Sequence, residues 1–167
     1  MQGRRIPSIV FKTRVRDATI GGENPFRWQD ASSDELFKGK KVVLFGLPGA
    51  FTSTCSNMHL PGYLQNLNAI KAKGVDAIAV TAVNDMFVME AWKRATGADG
   101  KIEFLADGNA ELAKAMDLTF DGSVAGLGLR SRRYSMLVED GVVKSLNIEE
   151  APGKVEISGA DALLKQL

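Results

Sequence analysis

Two short apolar runs, residues 41–47 and 75–81, constrain the fold more than any other feature of the chain. The first reads KVVLFGL and stops at Pro48, and uninterrupted runs of this length are typical of strands buried on both faces of a sheet. Between the two runs leucines recur at helical spacing, although Pro61 is expected to kink or interrupt that helix. Strand, helix and strand in this order predict a βαβ unit with a right-handed crossover and parallel strands.

The alternation of strand and helix continues after the second run. A helical pattern capped by Asn84 or Asp85 ends at Gly97, residues 102–105 follow as a strand, and residues 110–116 form a short helix. Helices that alternate with strands place the chain in the α/β class.

A hairpin and a final helix complete the pattern. Residues 134–138 and 142–146 are apolar runs separated by Glu-Asp-Gly, a tight-turn sequence, and residues 159–167 close the chain as a helix. A βαβ half followed by a ββα half is the order of the thioredoxin fold. We therefore predict an α/β, thioredoxin-like fold, with a central mixed sheet flanked by helices, in a single domain over residues 1–167.

The charge balance excludes several classes of partner. Twenty-one basic and twenty acidic residues leave a net charge of +1, and no long block of one sign is present to attract nucleic acid or an anionic membrane. The N-terminus lacks the apolar stretch of a secretory signal, and no apolar run is long enough to cross a bilayer. We expect a cytoplasmic protein whose partners are small molecules or other proteins.

The cysteine count limits the redox chemistry. Cys55 is the only cysteine, so an intrachain disulfide, a CxxC pair and a cysteine-rich zinc site are excluded by arithmetic. We expect no metal and no cofactor.

The position of Cys55 favours a reactive thiol over an inert, buried one. The segment from residue 47 to residue 56 joins the end of a central strand to the start of the next helix, an edge at which open α/β sheets bind ligands. Unpaired N–H groups and the positive end of the helix dipole bias a thiol in the first turn towards thiolate. Its neighbours Thr52, Thr54 and Ser56 are polar, and Thr52 lies on the same helical face.

The spacing Pro48-x-x-x-Thr52-x-x-Cys55 matches the active-site motif of the peroxiredoxins. The wider run PGAFTSTCSNMHLPGY resembles the peroxiredoxin-five, or type II, subfamily, and so do VTAVNDMFVMEAW, FLADGNAELAKAM and RSRRYSMLVEDGVV. The resemblance covers residues 40–147 and implies a thioredoxin-fold peroxidase, in which the cysteine attacks the O–O bond of a hydroperoxide and becomes a sulfenic acid.

The resemblance also implies a role for each motif residue. Pro48 shields Cys55 from water, and the Thr52 hydroxyl hydrogen-bonds the peroxide. Gly49 and Thr54 belong to the substrate-binding residues, and the backbone N–H groups of Thr54 and Cys55 hold the peroxide oxygens. Arg133, by its place in RRYSM, supplies the cation beside the sulfur. The alternative for an arginine cluster such as Arg130, Arg132 and Arg133 is a solvated basic edge.

Three further residues have subsidiary roles in this interpretation. His59 lies one turn after Cys55, which raises the alternative of a Cys–His hydrolase, but no orienting carboxylate is apparent and the resemblance implies a hydrogen-bonded supporting role. Phe51 and Phe87 are expected to line the pocket entrance and a homodimer contact. The alternative for the apolar turn around Phe87 is an ordinary core stripe.

Two features depart from the subfamily pattern. Ser53 stands where proline is usual, which is expected to loosen the first helical turn. No second cysteine follows, so the sulfenic acid must be reduced by an outside thiol, either glutathione with glutaredoxin or thioredoxin.

Other activities on the same fold remain as alternatives. A thiol–disulfide oxidoreductase is disfavoured by the missing CxxC, and a glutathione transferase by the missing helical domain. A non-catalytic, thioredoxin-like redox-sensing or binding module is the alternative of a different class.

Overall fold

A five-stranded mixed sheet forms the centre of the computed structural model, which describes residues 3–167. The strands of the described residues are β1 (Val10–Arg16), β2 (Phe26–Ser32), β3 (Lys41–Gly46), β4 (Ala77–Ala82), β5 (Glu103–Ala106), β6 (Thr119–Asp121), β7 (Leu129–Ser131), β8 (Tyr134–Glu139) and β9 (Val142–Ile148). The helices are α1 (Ser33–Phe37), a π-helix (Cys55–His59), α2 (Leu60–Gln65), α3 (Leu67–Lys71), α4 (Met86–Ala95), α5 (Glu111–Ala115), a 3₁₀ turn (Ser123–Ala125) and α6 (Ala160–Leu164).

The central sheet has the strand order β5-β4-β3-β8-β9. Strands β3, β4 and β5 are parallel, with Leu44 opposite Ala79, whereas β8 runs antiparallel to both β3 and β9. The hairpin turn between β8 and β9 has Asp140 and Gly141 at positive φ, as a two-residue hairpin turn requires. The βαβ half and the ββα half therefore meet at the β3–β8 pair, as the sequence predicts.

Alternation of side chains along β3 gives the sheet a core on each face. Val43 and Phe45 face helices α2, α3, α4 and α6, whereas Val42 and Leu44 face α5, α1 and the β1–β2 hairpin. Every residue of β3 from Val42 to Gly46 is buried, which explains why its sequence is a continuous apolar run rather than an alternating one.

The helix after β3 differs from the prediction in two ways. Helical backbone begins at Ser53 but takes π geometry from Cys55 to His59, where Leu60 N–H donates to the Cys55 carbonyl five residues back. The helical backbone continues through Pro61, the second residue of α2, and the change from π to α geometry falls at Leu60, directly before this residue. A further irregularity falls at Asn66, between α2 and α3.

Two hairpins lie outside the predicted elements. Strands β1 and β2 pair antiparallel, and β6 and β7 form a second short ribbon.

Within residues 3–167 the helices are all too short or too polar to traverse a lipid bilayer.

Candidate active site

The β3–β8 pair brings two distant segments of the chain to one edge of the sheet. Gly46, the last residue of β3, lies opposite Tyr134, the first residue of β8. A side chain at Gly46 would put its Cβ 2.2 Å from the Tyr134 ring, so only glycine allows this approach. The loop that follows β3 and carries Cys55 therefore meets Arg133, which immediately precedes β8.

Cys55 and Arg133 are in direct contact in the interior. The Cys55 side chain has no exposed surface and Arg133 is 2% exposed. Arg133 Nη2 donates a hydrogen bond to Cys55 Sγ across 3.1 Å. The guanidinium therefore places a fixed positive charge and a hydrogen-bond donor directly beside the sulfur.

Two other donors of the Arg133 guanidinium have neutral partners. Nε donates to the Pro152 carbonyl at 2.8 Å, and Nη1 donates to His59 Nδ1 at 2.9 Å. None of the ion pairs among residues 3–167 involves Arg133. Its positive charge is therefore oriented by neutral acceptors and is left available to the sulfur.

His59 is held as a neutral acceptor. Its Nε2 lies 3.0 Å from the Ser158 carbonyl, which can only accept, so the ring proton is on Nε2 and Nδ1 presents a lone pair to Arg133. The ring packs against the stacked pair Phe45 and Tyr63, whose centroids lie 4.1 Å from each other and 5.0 and 5.6 Å from that of His59. Burial, together with the neighbouring Arg133 guanidinium, lowers the pKa of His59 to about 3.

Acid should destabilise the protein through this buried histidine. The unfolded side chain, with its ordinary pKa of 6.5, takes up a proton as the pH falls, whereas the folded one stays neutral until about pH 3. The unfolded state then binds more protons, and the free energy of unfolding falls by about 2 kcal/mol between about pH 7.5 and about pH 5. Urea unfolding of wild type and His59→Gln at both pH values measures this. The variant should lose about 2 kcal/mol less than wild type, and equal losses would contradict the assignment.

Hydrogen bonds between its own residues hold the motif loop in place. The Thr52 hydroxyl donates to the Gly49 carbonyl at 2.7 Å, which leaves its lone pairs free to accept, and Ser56 N–H donates to the Thr52 carbonyl at 3.0 Å. Pro48 and Gly49 are buried, whereas Thr52 and Thr54 are half-buried. Within residues 3–167 no acceptor is bonded to the N–H groups of Thr54 and Cys55.

Two residues outside the predicted set also contact this loop. Arg130 Nη1 donates to the Pro48 carbonyl at 3.3 Å and lies so close to Gly49 that a Cβ there would be 2.6 Å from the same nitrogen. Asn84 Oδ1 accepts from Ala50 N–H at 2.9 Å, while Asp85 alone caps α4. Arg132 is exposed, so the three arginines have three different environments.

The two predicted phenylalanines lie on the surface and line separate cavities. Phe51, with φ at 62°, is 56% exposed and borders a groove with Trp92, whereas Phe87 is 51% exposed and stacks edge-on against Trp28. Because both side chains are exposed, neither belongs to the hydrophobic core.

The geometry suits one kind of reaction. A buried sulfur that accepts a hydrogen bond from a fixed guanidinium can serve as a nucleophile, and free N–H groups next to it can hold an oxygen-bearing substrate. With one cysteine in the chain, the oxidised sulfur has no partner for an internal disulfide.

Comparison with known proteins identifies this arrangement. A family model described as Redoxin matches residues 14–164. Peroxiredoxin sll1621 of Synechocystis sp. is 48% identical over 173 residues, which cover 100% of this chain and 91% of that protein. The crystal structure of reduced Prx3 in complex with H₂O₂ from Vibrio vulnificus is 44% identical, with a TM-score of 0.86 and coverage of 99% and 94%. Peroxiredoxin 5 from Alvinella pompejana is 31% identical, with a TM-score of 0.79 and coverage of 99% and 96%.

These relatives agree in family along nearly the whole chain. Peroxiredoxins reduce hydroperoxides with electrons from thiols, and the chain has a single cysteine for this chemistry. The chain belongs to the Redoxin family, is a peroxiredoxin of the type II, peroxiredoxin-five-like subfamily, and is a thiol-dependent peroxidase.

Proposed function

We propose that Cys55 is the nucleophile of this peroxidase. Its thiolate attacks one peroxide oxygen, an S–O bond forms as the O–O bond breaks, and the leaving hydroxide or alkoxide takes up a proton to give water or an alcohol. The observation that carries the proposal is the 3.1 Å hydrogen bond from Arg133 Nη2 to the only thiol sulfur of the chain, inside a buried site.

The neighbouring residues are proposed to bind the peroxide around this sulfur. Arg133 has five N–H donors and uses three of them on Pro152, His59 and Cys55, so further donors remain for a peroxide oxygen. The Thr52 hydroxyl, which donates to the Gly49 carbonyl, accepts a hydrogen bond from the peroxide O–H, and the N–H groups of Thr54 and Cys55 stabilise the negative charge that develops on oxygen. Pro48 keeps water away from the sulfur.

Hydrogen peroxide and organic hydroperoxides are the proposed substrates. The Vibrio vulnificus relative is described in complex with H₂O₂. Cys55 itself has no exposed surface, so a hydroperoxide must reach it past neighbouring residues. Thr52 and Thr54 are half-buried and form the side of this approach.

Recycling requires an external thiol, for which we propose glutathione with glutaredoxin, or thioredoxin. A first thiol condenses with the sulfenic acid to give a mixed disulfide and water, and a second thiol then releases the reduced enzyme and a disulfide. Because Cys55 is fully buried, the first helical turn must open for this attack. Its π geometry and the exposed Ser53 in place of proline support such opening.

The proposed function is tested by following peroxide consumption with each donor system. With glutathione and glutaredoxin or with thioredoxin and its reductase, we expect many equivalents of hydrogen peroxide to be consumed per chain. A non-catalytic redox-sensing module, which no observation favours, would instead oxidise once and stop. Stoichiometric consumption with both donor systems would contradict the proposal.

We also propose that residues 1–167 act as one cytoplasmic domain and pair as a homodimer. Reduction by a thiol pool suits a reducing compartment. Phe51, Phe87 and Trp28 are 56%, 51% and 64% exposed, and contact with a second copy of the chain would bury such exposed aromatic side chains. Sedimentation should give twice the chain mass, and a monomer at all concentrations would contradict the pairing. Fractionation of the source cells tests the compartment.

A further inference from the structure

Glu149 is a buried acid that takes no part in the proposed chemistry. It is the first residue after β9 and is 5% exposed. Its Oε2 accepts hydrogen bonds from Glu156 N–H at 2.8 Å, Ser158 N–H at 2.8 Å and the Ser158 hydroxyl at 2.5 Å. Burying a carboxylate is costly unless donors surround it, and here one oxygen collects three.

These bonds close the loop that holds the active-site arginine. Residues 149–159 join β9 to α6, and two carbonyls of this loop face the site. The Pro152 carbonyl accepts from Arg133 Nε, and the Ser158 carbonyl accepts from His59 Nε2 at 3.0 Å and from the Tyr63 hydroxyl at 2.7 Å. The carboxylate of Glu149 thus fixes the loop segment whose carbonyls orient Arg133 and His59.

The contacts form a closed ring of four buried residues. Glu149 N–H donates to the Arg133 carbonyl at 2.9 Å, Arg133 Nη1 donates to His59, His59 Nε2 donates to the Ser158 carbonyl, and Ser158 donates back to Glu149. Cys55 lies outside this ring, and its sulfur accepts a hydrogen bond from the other terminal nitrogen of Arg133, Nη2.

From this ring we infer that Glu149 is a positioning residue of the peroxidase, which sets the reactivity of Cys55 through Ser158, His59 and Arg133 without touching the sulfur or the peroxide. The inference rests on the proposed role of Arg133. If the Ser158 carbonyl moves, the His59 ring loses the bond that fixes its proton on Nε2. An Nδ1–H would then face the Arg133 donors, and the guanidinium would turn away from the sulfur.

A carboxylate suits this role better than a neutral acceptor. Burial alone would raise the pKa of Glu149, but hydrogen bonds from the Ser158 side chain and from loop backbone N–H groups outweigh it and lower the pKa below its usual range. Glu149 is therefore ionised at neutral pH, and charge-assisted bonds hold the loop more tightly than neutral ones. The negative charge of Glu149 is stabilised by the hydrogen bonds that its carboxylate accepts from the loop. The carboxylate therefore does not compete with the Cys55 sulfur for the Arg133 guanidinium.

The test compares Glu149→Ala with Glu150→Ala, an exposed neighbour that loses the same atoms and charge. The rate constant of the reduced enzyme with hydrogen peroxide, and its alkylation by iodoacetamide, should each fall at least about tenfold in Glu149→Ala, as misplacement of catalytic groups does. Both rates should stay within about twofold of wild type in Glu150→Ala. Glu149→Gln, which keeps an acceptor of the same shape, should be intermediate and carries the test if the alanine variant does not fold.

A double-mutant cycle separates positioning from general loosening of the fold. In an Arg133→Ala background, Glu149→Ala should change the peroxide rate by less than about twofold, since its effect passes through Arg133. An equal effect in both backgrounds, or a wild-type rate in the single variant, would overturn the inference and leave the proposed function standing. A wild-type enzyme that does not react with peroxide at all would instead remove the proposed function.

Discussion

Cys55→Ser should reduce peroxide consumption to the rate seen without enzyme, with either donor system. The chain has no other thiol that could take over the reaction. A serine hydroxyl is not ionised by the surroundings that favour a thiolate, and it cannot form a sulfenic acid. Arg133, His59 and the motif loop all converge on this one sulfur, so none of them can compensate for its removal.

Two measurements make this expectation specific. The first measurement follows the residual peroxide concentration with each donor system. The second traps the sulfenic acid formed in a single turnover without donor as its dimedone adduct, which is detected by mass spectrometry of the intact protein. Wild type should give one adduct and the serine variant none. Met58→Ser is the matched control, because it removes an exposed sulfur from the same π-helix and should retain full turnover. Sustained turnover by Cys55→Ser would show that the reacting group lies elsewhere.

The central strands were predictable because both of their faces are buried. A strand covered on both sides needs apolar residues at nearly every position, and this is the pattern of β3 and β4. Strands β1 and β2 lie in a separate hairpin and are mostly exposed or half-buried, so their sequences carry no comparable constraint. The π-helix had no sequence signature either, since it differs from an α-helix only in the register of its hydrogen bonds.

The site was predictable where side chains carry the chemistry. The motif from Pro48 to Cys55 is local, and the resemblance singled out Arg133, whose side chain the structure brings to the sulfur. Arg132, one residue earlier, is exposed, and only the direction of the chain entering β8 separates the two.

The partners of His59 and Arg133 were not predictable. Both residues are oriented by backbone carbonyls, and every residue has one, so nothing in the sequence marks Pro152 or Ser158 as acceptors. Glu149 is distinguished from the adjacent Glu150 only by its burial. The roles of Asn84 and Arg130 likewise depend on where a distant loop backbone lies.

Arg133→Ala should slow the reaction of the reduced enzyme with hydrogen peroxide by roughly ten- to two-hundredfold. A hydrogen bond between charged partners contributes about 1.5–3 kcal/mol, and each 1.36 kcal/mol of barrier corresponds to about tenfold in rate. The loss should not be complete, because the thiol and the N–H groups of the first helical turn remain. Arg133→Lys should recover part of the rate, since an ammonium restores the charge but cannot reach Pro152, His59 and Cys55 together.

The rate is measured by stopped flow, with tryptophan fluorescence as the reporter. Trp92 is suitable because its indole N–H donates to the Ser56 hydroxyl at 3.1 Å, and Ser56 directly follows Cys55 in the chain. Arg132→Ala is the matched control: it removes the same charge from an exposed neighbour and should react within about twofold of wild type. Circular dichroism establishes that each variant is folded. If folded Arg133→Ala and Arg133→Lys both kept the wild-type rate, the thiolate would not depend on the guanidinium, and stabilisation would have to come from backbone N–H groups alone.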